Sequence, residues 1–168
     1  MPVEKLGRGE NPGGKLKNYH GRSWVSLLET EKTQGWNEIL GSHTFHEIQM
    51  YYPMRVVRDQ RYKLIWNIAH QLDYPFASDL WIASSWQAQF QKGQDTKYGK
   101  KTVRQYIRRD RFELYDLKND PLEKINLVGI QKYEEIEKSL KQKLVNWQME
   151  TDDFLLKGYI PLPQNRNS

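Results

Sequence analysis

The sequence predicts an α+β fold: a small antiparallel sheet of about four strands with one long C-terminal helix packed on a face. Three observations predict it. Ile130, Tyr133, Ile136, Leu140, Leu144 and Trp147 recur at spacings of three and four, the period of an amphipathic helix. Two runs rich in β-formers, "PMRVV" and "YKLIWN", flank Asp59-Gln60, a dipeptide suited to a tight hairpin. A third run, "FELYD", is closed by Asn119-Asp120-Pro121, where side-chain caps and a fixed φ make a turn. Strands gathered before a helix, rather than alternating with helices, indicate an antiparallel sheet.

Taken in order, residues 1–36 form a connecting segment. "GENPGG" is loop chemistry, and "SWVSLLE" has the length of one helical turn with Ser as a cap. Residues 37–168 form the α+β subdomain. Strands are predicted near 39–49, 54–58, 62–67 and 111–116, with Pro53 marking the entry to the hairpin. Residues 68–107 read as a basic, irregular insertion holding one short helix that starts at Ser78 or Ser84. The long helix runs from about 130 to 149, with Glu134 and Glu135 early and Lys141 and Lys143 late, as its dipole prefers. The tail "PLPQNRNS" is expected to fray.

Composition narrows the function classes. The 168 residues carry 38% hydrophobic side chains, enough for one modest core, and 21 aromatic rings. A second sheet face must be covered or wet, and this aromatic content suggests that it is buried against a partner. The net charge of +5 favours anionic partners without choosing among them. The absence of cysteine excludes disulfides, thiolate zinc sites and thiol nucleophiles. No run approaches the roughly 18 apolar residues of a membrane span, and the first twenty residues lack the apolar stretch of a signal peptide. No nucleic-acid motif is present, so neither a membrane nor a nucleic acid is an expected partner.

The chemistry-bearing stretch is "GSHTFHEIQMYYPMR", which places His43, His46 and Glu47 in the order H-x-x-H-E. Zinc-binding histidines four apart share a helical face. Here the spacing is three and the pattern is β, so the two rings point to opposite faces of a strand and no metal site is expected. Histidines that are merely exposed or hydrogen-bonded remain the simpler reading. A basic stretch with interleaved tyrosines, containing Lys100, Lys101, Arg108 and Arg109, offers possible polyanion contacts or a solvated, mobile surface. Arg61 and Lys63 share a strand face that is either solvated or paired with Glu113 or Asp116.

"FELYDLKNDPLEKINL" resembles the closing segment of the alkaline-phosphatase-like sulfatases, in which an E-L-Y-D strand is followed by a D-P turn and N-L. "PMRVVRDQRYKLIWN" is similar to that family's preceding hairpin, and "HGRSWVSLL" to its G-R-S-L-x-P-L-L segment. Within the family, "GSHTFHEIQMYYPMR", "YPFASDLWIASSWQ" and "KLVNWQMETDDF" resemble the sulfamidase (heparan N-sulfatase) subfamily. The resemblance runs collinearly from about residue 20 to 155 and matches the C-terminal quarter to third of such an enzyme.

What the resemblance implies is specific. The complete enzyme hydrolyses an N-sulfate or sulfate ester on a heparan-type glycan with a calcium-bound formylglycine. Formylglycine arises from a C/S-x-P-x-R motif, which this chain lacks. No catalytic residue, metal ligand or cofactor is therefore assigned here. Calcium and formylglycine are expected only in the missing N-terminal domain, which becomes the expected partner together with a sulfated glycan or sugar. His46 and Glu47 are the substrate-binding candidates on the pocket rim. The alternative is a non-catalytic module that binds sulfated glycan. Family members are periplasmic or extracellular in bacteria and lysosomal in animals.

Overall fold

The computed structural model describes residues 25–29, 35–46 and 50–157. The expectations for the 1–20 loop, for Glu47 and for the tail fall outside them. Contacts divide the chain into Met1–Asn37 and Glu38–Ser168. The first unit holds a 3-10 turn at Val25–Glu29. The site lies in the second.

Four strands form the sheet: β1 (Ile39–Phe45), β2 (Tyr51–Arg58), β3 (Tyr62–Asn67) and β6 (Phe112–Asp116). They lie in the order β1-β2-β3-β6, every neighbouring pair antiparallel. The predicted hairpin forms at Asp59-Gln60, where the Asp59 carboxylate accepts the backbone N–H of Arg61 and Tyr62. Pro53 corrects the sequence reading. It lies inside β2 rather than at the hairpin entry. The register explains how it is tolerated. His43 pairs Met54 but Phe45 pairs Tyr51, so β2 carries an extra residue there. A bulge is one of the few sheet positions that can lack an N–H donor.

One face of the sheet carries Leu40, Val57, Tyr62, Leu64, Trp66, Phe112 and Leu114. The helix α4 (Glu134–Glu150) lays Leu140 and Leu144 on it, with Tyr133 and Ile136 alongside. A 3-10 turn at Gln131–Tyr133 precedes α4, and Ile130, placed in the stripe by its spacing, is 43% exposed ahead of it. The acidic first turn is as expected. No basic residue stands in the last turn, because α4 continues to Glu150 and leaves Lys141 and Lys143 mid-helix. Thr151 closes the end, its hydroxyl donating to the Trp147 carbonyl at 2.8 Å.

Residues 68–107 are not irregular. They hold α1 (Ser78–Ile82), α2 (Ser84–Phe90), a two-stranded hairpin of β4 (Lys97–Tyr98) and β5 (Lys101–Thr102), and α3 (Val103–Ile107). Both serine positions begin a helix, although neither helix has a side-chain cap. Aromatic packing supplies the order. Trp86 is fully buried, with the rings of Phe76, Tyr98, Tyr106 and Phe90 at 4.6, 5.1, 5.6 and 5.9 Å. Gly99 turns the hairpin at φ +64°, a conformation that favours glycine. Thr102 and Gln105 form a capping box at the start of α3. Aromatic residues scattered over thirty positions leave no period in the sequence, so their common core was invisible there.

Candidate functional site

The candidate pocket strand is β1. His43 stands opposite Met54, and His46 follows the strand as an exposed residue whose backbone N–H reaches the Met50 carbonyl at 3.4 Å. Glu47 is outside the described residues. Among the described residues, no three His, Cys, Asp or Glu side chains converge as a metal site, and no helix is long and apolar enough to cross a membrane.

This end of the hairpin is gripped by Arg55. Its Nε and Nη2 donate to the two Asp153 carboxylate oxygens at 2.6 and 2.9 Å. Its Nη1 donates to the carbonyls of Met54 and His43 at 2.8 and 3.3 Å. Both side chains are nearly buried, at 3% and 6% exposure. A bidentate pair of this kind suits arginine and not lysine. Sequence reading placed Arg55 in the hairpin but did not pair it with Asp153, because a partner 98 positions away leaves no local signal.

Arg61 pairs with Asp116 at 2.8 Å, the structural alternative considered for it. Lys63 pairs instead with Glu123, a residue not foreseen. Asp116 also accepts from the Asn119 side chain at 2.8 Å, and Asp120 accepts the backbone N–H of Lys124 and Ile125. The Asn126 side-chain Oδ1 accepts the Leu114 N–H at 2.9 Å, while its Nδ2 donates to the Phe112 carbonyl. Asp116, Asn119, Asp120 and Asn126 of the "FELYDLKNDPLEKINL" signature are thus engaged in turns and strand extension.

Asp153 and Asp116 are each held down to about 2: Asp153 by the hydrogen bonds of Arg55, Asp116 by those of Arg61 and Asn119. An unfolded aspartate titrates near 4, so both carboxylates stabilise the fold above about pH 4, and that contribution drains as pH falls toward 2. The melting temperature should therefore fall steeply between about pH 4 and 2, and Asp153→Asn with Asp116→Asn should flatten that limb in a thermal-melt pH series.

The four basic candidates diverge. Lys100 is exposed. Arg108 forms an exposed ion pair with Asp73 at 2.6 Å. Lys101 turns inward, donating to the Tyr115 hydroxyl at 3.2 Å and lying 3.8 Å from the Glu113 carboxylate. Arg109 stacks over the Tyr74 ring at 4.0 Å. The last two belong to a buried polar junction that joins the insertion to the second sheet face. There Glu113 accepts from Asn67 at 2.8 Å and from the Tyr115 hydroxyl. Burial raises the Tyr115 phenol, and raises that of Tyr52 to about 12 against the opposing charge of Arg109. Among the described residues, Tyr52 Oη, Asn67 Oδ1 and Arg109 Nε have no hydrogen-bond partner.

Comparison with known proteins gives concordant findings. Residues 87–150 match a family described as N-sulphoglucosamine sulphohydrolase, C-terminal. The chain is 33% identical over 144 residues to N-sulphoglucosamine sulphohydrolase of Homo sapiens, covering 84% of this chain and 28% of that protein. It is 29% identical over 165 residues to an ulvan-active sulfatase of Formosa agariphila, covering 92% of this chain and 29% of that protein. It superposes on a solved 2-O GAG sulfatase with a TM-score of 0.53 at 19% identity, covering 88% of this chain and 24% of the other. A putative sulfatase from Bacteroides thetaiotaomicron gives 0.52 at 16% identity, covering 86% and 24%. The chain thus spans between a quarter and a third of the length of the curated relatives it matches.

Proposed function

Because this chain is sulfatase-like, related to the sulfamidases and glycosaminoglycan sulfatases and carrying their C-terminal part, we propose that it completes the substrate pocket of a sulfatase whose catalytic centre lies in an N-terminal domain. The enzyme so completed hydrolyses an N-sulfate or sulfate ester on a heparan-type glycan. The observation that carries this reading is the 33% identity to the human N-sulphoglucosamine sulphohydrolase across 84% of the chain.

The sequence has no cysteine and no C/S-x-P-x-R, so this reading assigns the formylglycine, and the calcium that goes with it, to the N-terminal domain. In this reading the role of the chain is recognition. His46 is exposed at the end of β1 and offers ring nitrogens that donate and accept. Glu47 adds a carboxylate that accepts from sugar hydroxyls and attracts a cationic nitrogen. Lys100, exposed, adds positive charge that draws a sulfated chain toward the rim, while the charge of Arg108 is shared with Asp73.

The isolated chain should not turn over a chromogenic sulfate or N-sulfoglucosamine. Turnover above background that a chelator abolishes would contradict the assignment. Supplied with the N-terminal part of a related sulfatase, it should restore hydrolysis, and His46→Ala and Glu47→Gln should each raise KM more than they lower kcat. If the chain were instead a non-catalytic glycan module, it would be retained on a heparin column without any such complementation. That retention would be lost on neutralising Lys100, Lys101, Arg108 and Arg109.

A further inference from the structure

We propose that Asp153 is a positioning residue for the His43–His46 end of β1, acting through Arg55. The functional meaning of this tether rests on the proposed pocket role of His46. Its physical basis is independent of that role.

The sheet ladder is regular from Ile39 to His43, where each residue has its registered partner on β2. Beyond His43 the register shifts, and the next pair is Phe45 with Tyr51. A bulge interrupts ladder hydrogen bonds, and the His46 N–H to Met50 carbonyl contact beyond it is long, at 3.4 Å. The Arg55 guanidinium binds the break on its near side. It bonds the carbonyls of both members of the last regular pair, His43 and Met54, at 3.3 and 2.8 Å. One cation thus clamps β1 to β2 where the ladder gives out.

The guanidinium is itself aimed by Asp153, which takes Nε and Nη2 in a two-pronged contact. With those two edges fixed, Nη1 has only the direction of the two carbonyls left. Asp153 is in turn held by the fully buried Gln148 of α4, whose amide donates at 3.1 Å, and by the Leu155 N–H at 3.1 Å. The chain of contacts runs from the last turn of α4, through Asp153 and Arg55, to the backbone of His43. The helix end therefore sets where the exposed histidine turn sits.

Amide hydrogen exchange on the full chain, resolved by residue, tests this. Asp153→Asn keeps the shape but replaces one acceptor oxygen with a donor. It should speed exchange at His43, Thr44, Phe45 and His46 at least tenfold more than at Val57, Leu64 and Leu114. A uniform change across all seven amides, or none, would overturn the proposal by reducing Asp153 to a general stabiliser. Asp116→Asn breaks the Arg61 ion pair and should leave the amides of His43, Thr44, Phe45 and His46 as they were. Equal acceleration in that variant also overturns the proposal. Should Asp153→Asn fail to fold, Asp153→Glu keeps the charge with altered reach. It should produce a smaller acceleration confined to the same four amides, and its absence counts against the tether. The experiment uses no sugar, so failure of the tether and failure of the pocket role are separate results.

Discussion

Replacing Trp86 with alanine should destabilise the insertion by about 3–5 kcal/mol, the range for removing a large aromatic from a packed interior. Trp86 is fully buried and is the common neighbour of Phe76, Phe90, Tyr98 and Tyr106. Those rings come from α2, the β4–β5 hairpin, α3 and the segment before α1, so one truncation unsettles α2, the hairpin and α3 directly and α1 through Trp81, which packs on Phe76 and Phe90. The indole N–H has no hydrogen-bond partner among the described residues, and its removal offsets a small part of the loss. The effect should be local first. The near-UV circular dichroism of the clustered rings should collapse, and proteolysis should cut between Ala77 and Arg108 before the α4 core opens. Trp86→Phe, which keeps a ring in the cluster, should lose much less. Resistance of Trp86→Ala to proteolysis across this segment would show that the aromatic cluster does not hold it.

Replacing Arg55 with methionine should cost a similar amount, about 3–5 kcal/mol, for a different reason. The methionine fills much of the arginine stem's volume, so little packing is lost. What remains is an Asp153 carboxylate at 6% exposure with its cation gone. Urea denaturation measures the loss, and its pH dependence identifies the cause. With Arg55 present, the Asp153 proton affinity is low and acid weakens the fold. Without Arg55, desolvation favours the neutral acid, so the deficit of Arg55→Met should shrink as pH falls from 7 toward 4. A deficit that is constant over that range would place the loss in packing rather than in the orphaned charge. Combining Arg55→Met with Asp153→Leu should recover part of the stability, since removing both partners leaves no buried charge.

These two residues show where sequence reading stopped. The helix stripe, the Asp59-Gln60 hairpin and the turn after "FELYD" were legible because each is local: a period of 3.6, a two-residue turn, an Asn-Asp-Pro cap. The insertion was misjudged as irregular because its order comes from rings between Phe76 and Tyr106 with no repeating interval. Pro53 was placed at a boundary because proline breaks a regular strand. The bulge that admits it depends on how β1 and β2 pair across the Phe45–Tyr51 end. Lys101 and Arg109 read as surface charge until the fold supplied Tyr115 and Glu113 of the second sheet face, and Tyr74 of the insertion, as partners.

The candidate site divides along the same line. The stretch "GSHTFHE" drew attention by its residue types, and strand periodicity alone argued against joint chelation by His43 and His46. That the end of β1 depends on an arginine from β2 and an aspartate beyond α4 could not be read there. The sequence by itself determined the strands of the four-stranded sheet, the long helix, their order and the likeness to the sulfatases, because periodicity, turn chemistry and ordered segments are properties of neighbouring residues. The tertiary structure alone decided which charges are buried, which are paired and which strand end needs a tether, because ion pairs across 98 positions and a register shift between two strands exist only once the chain has closed on itself.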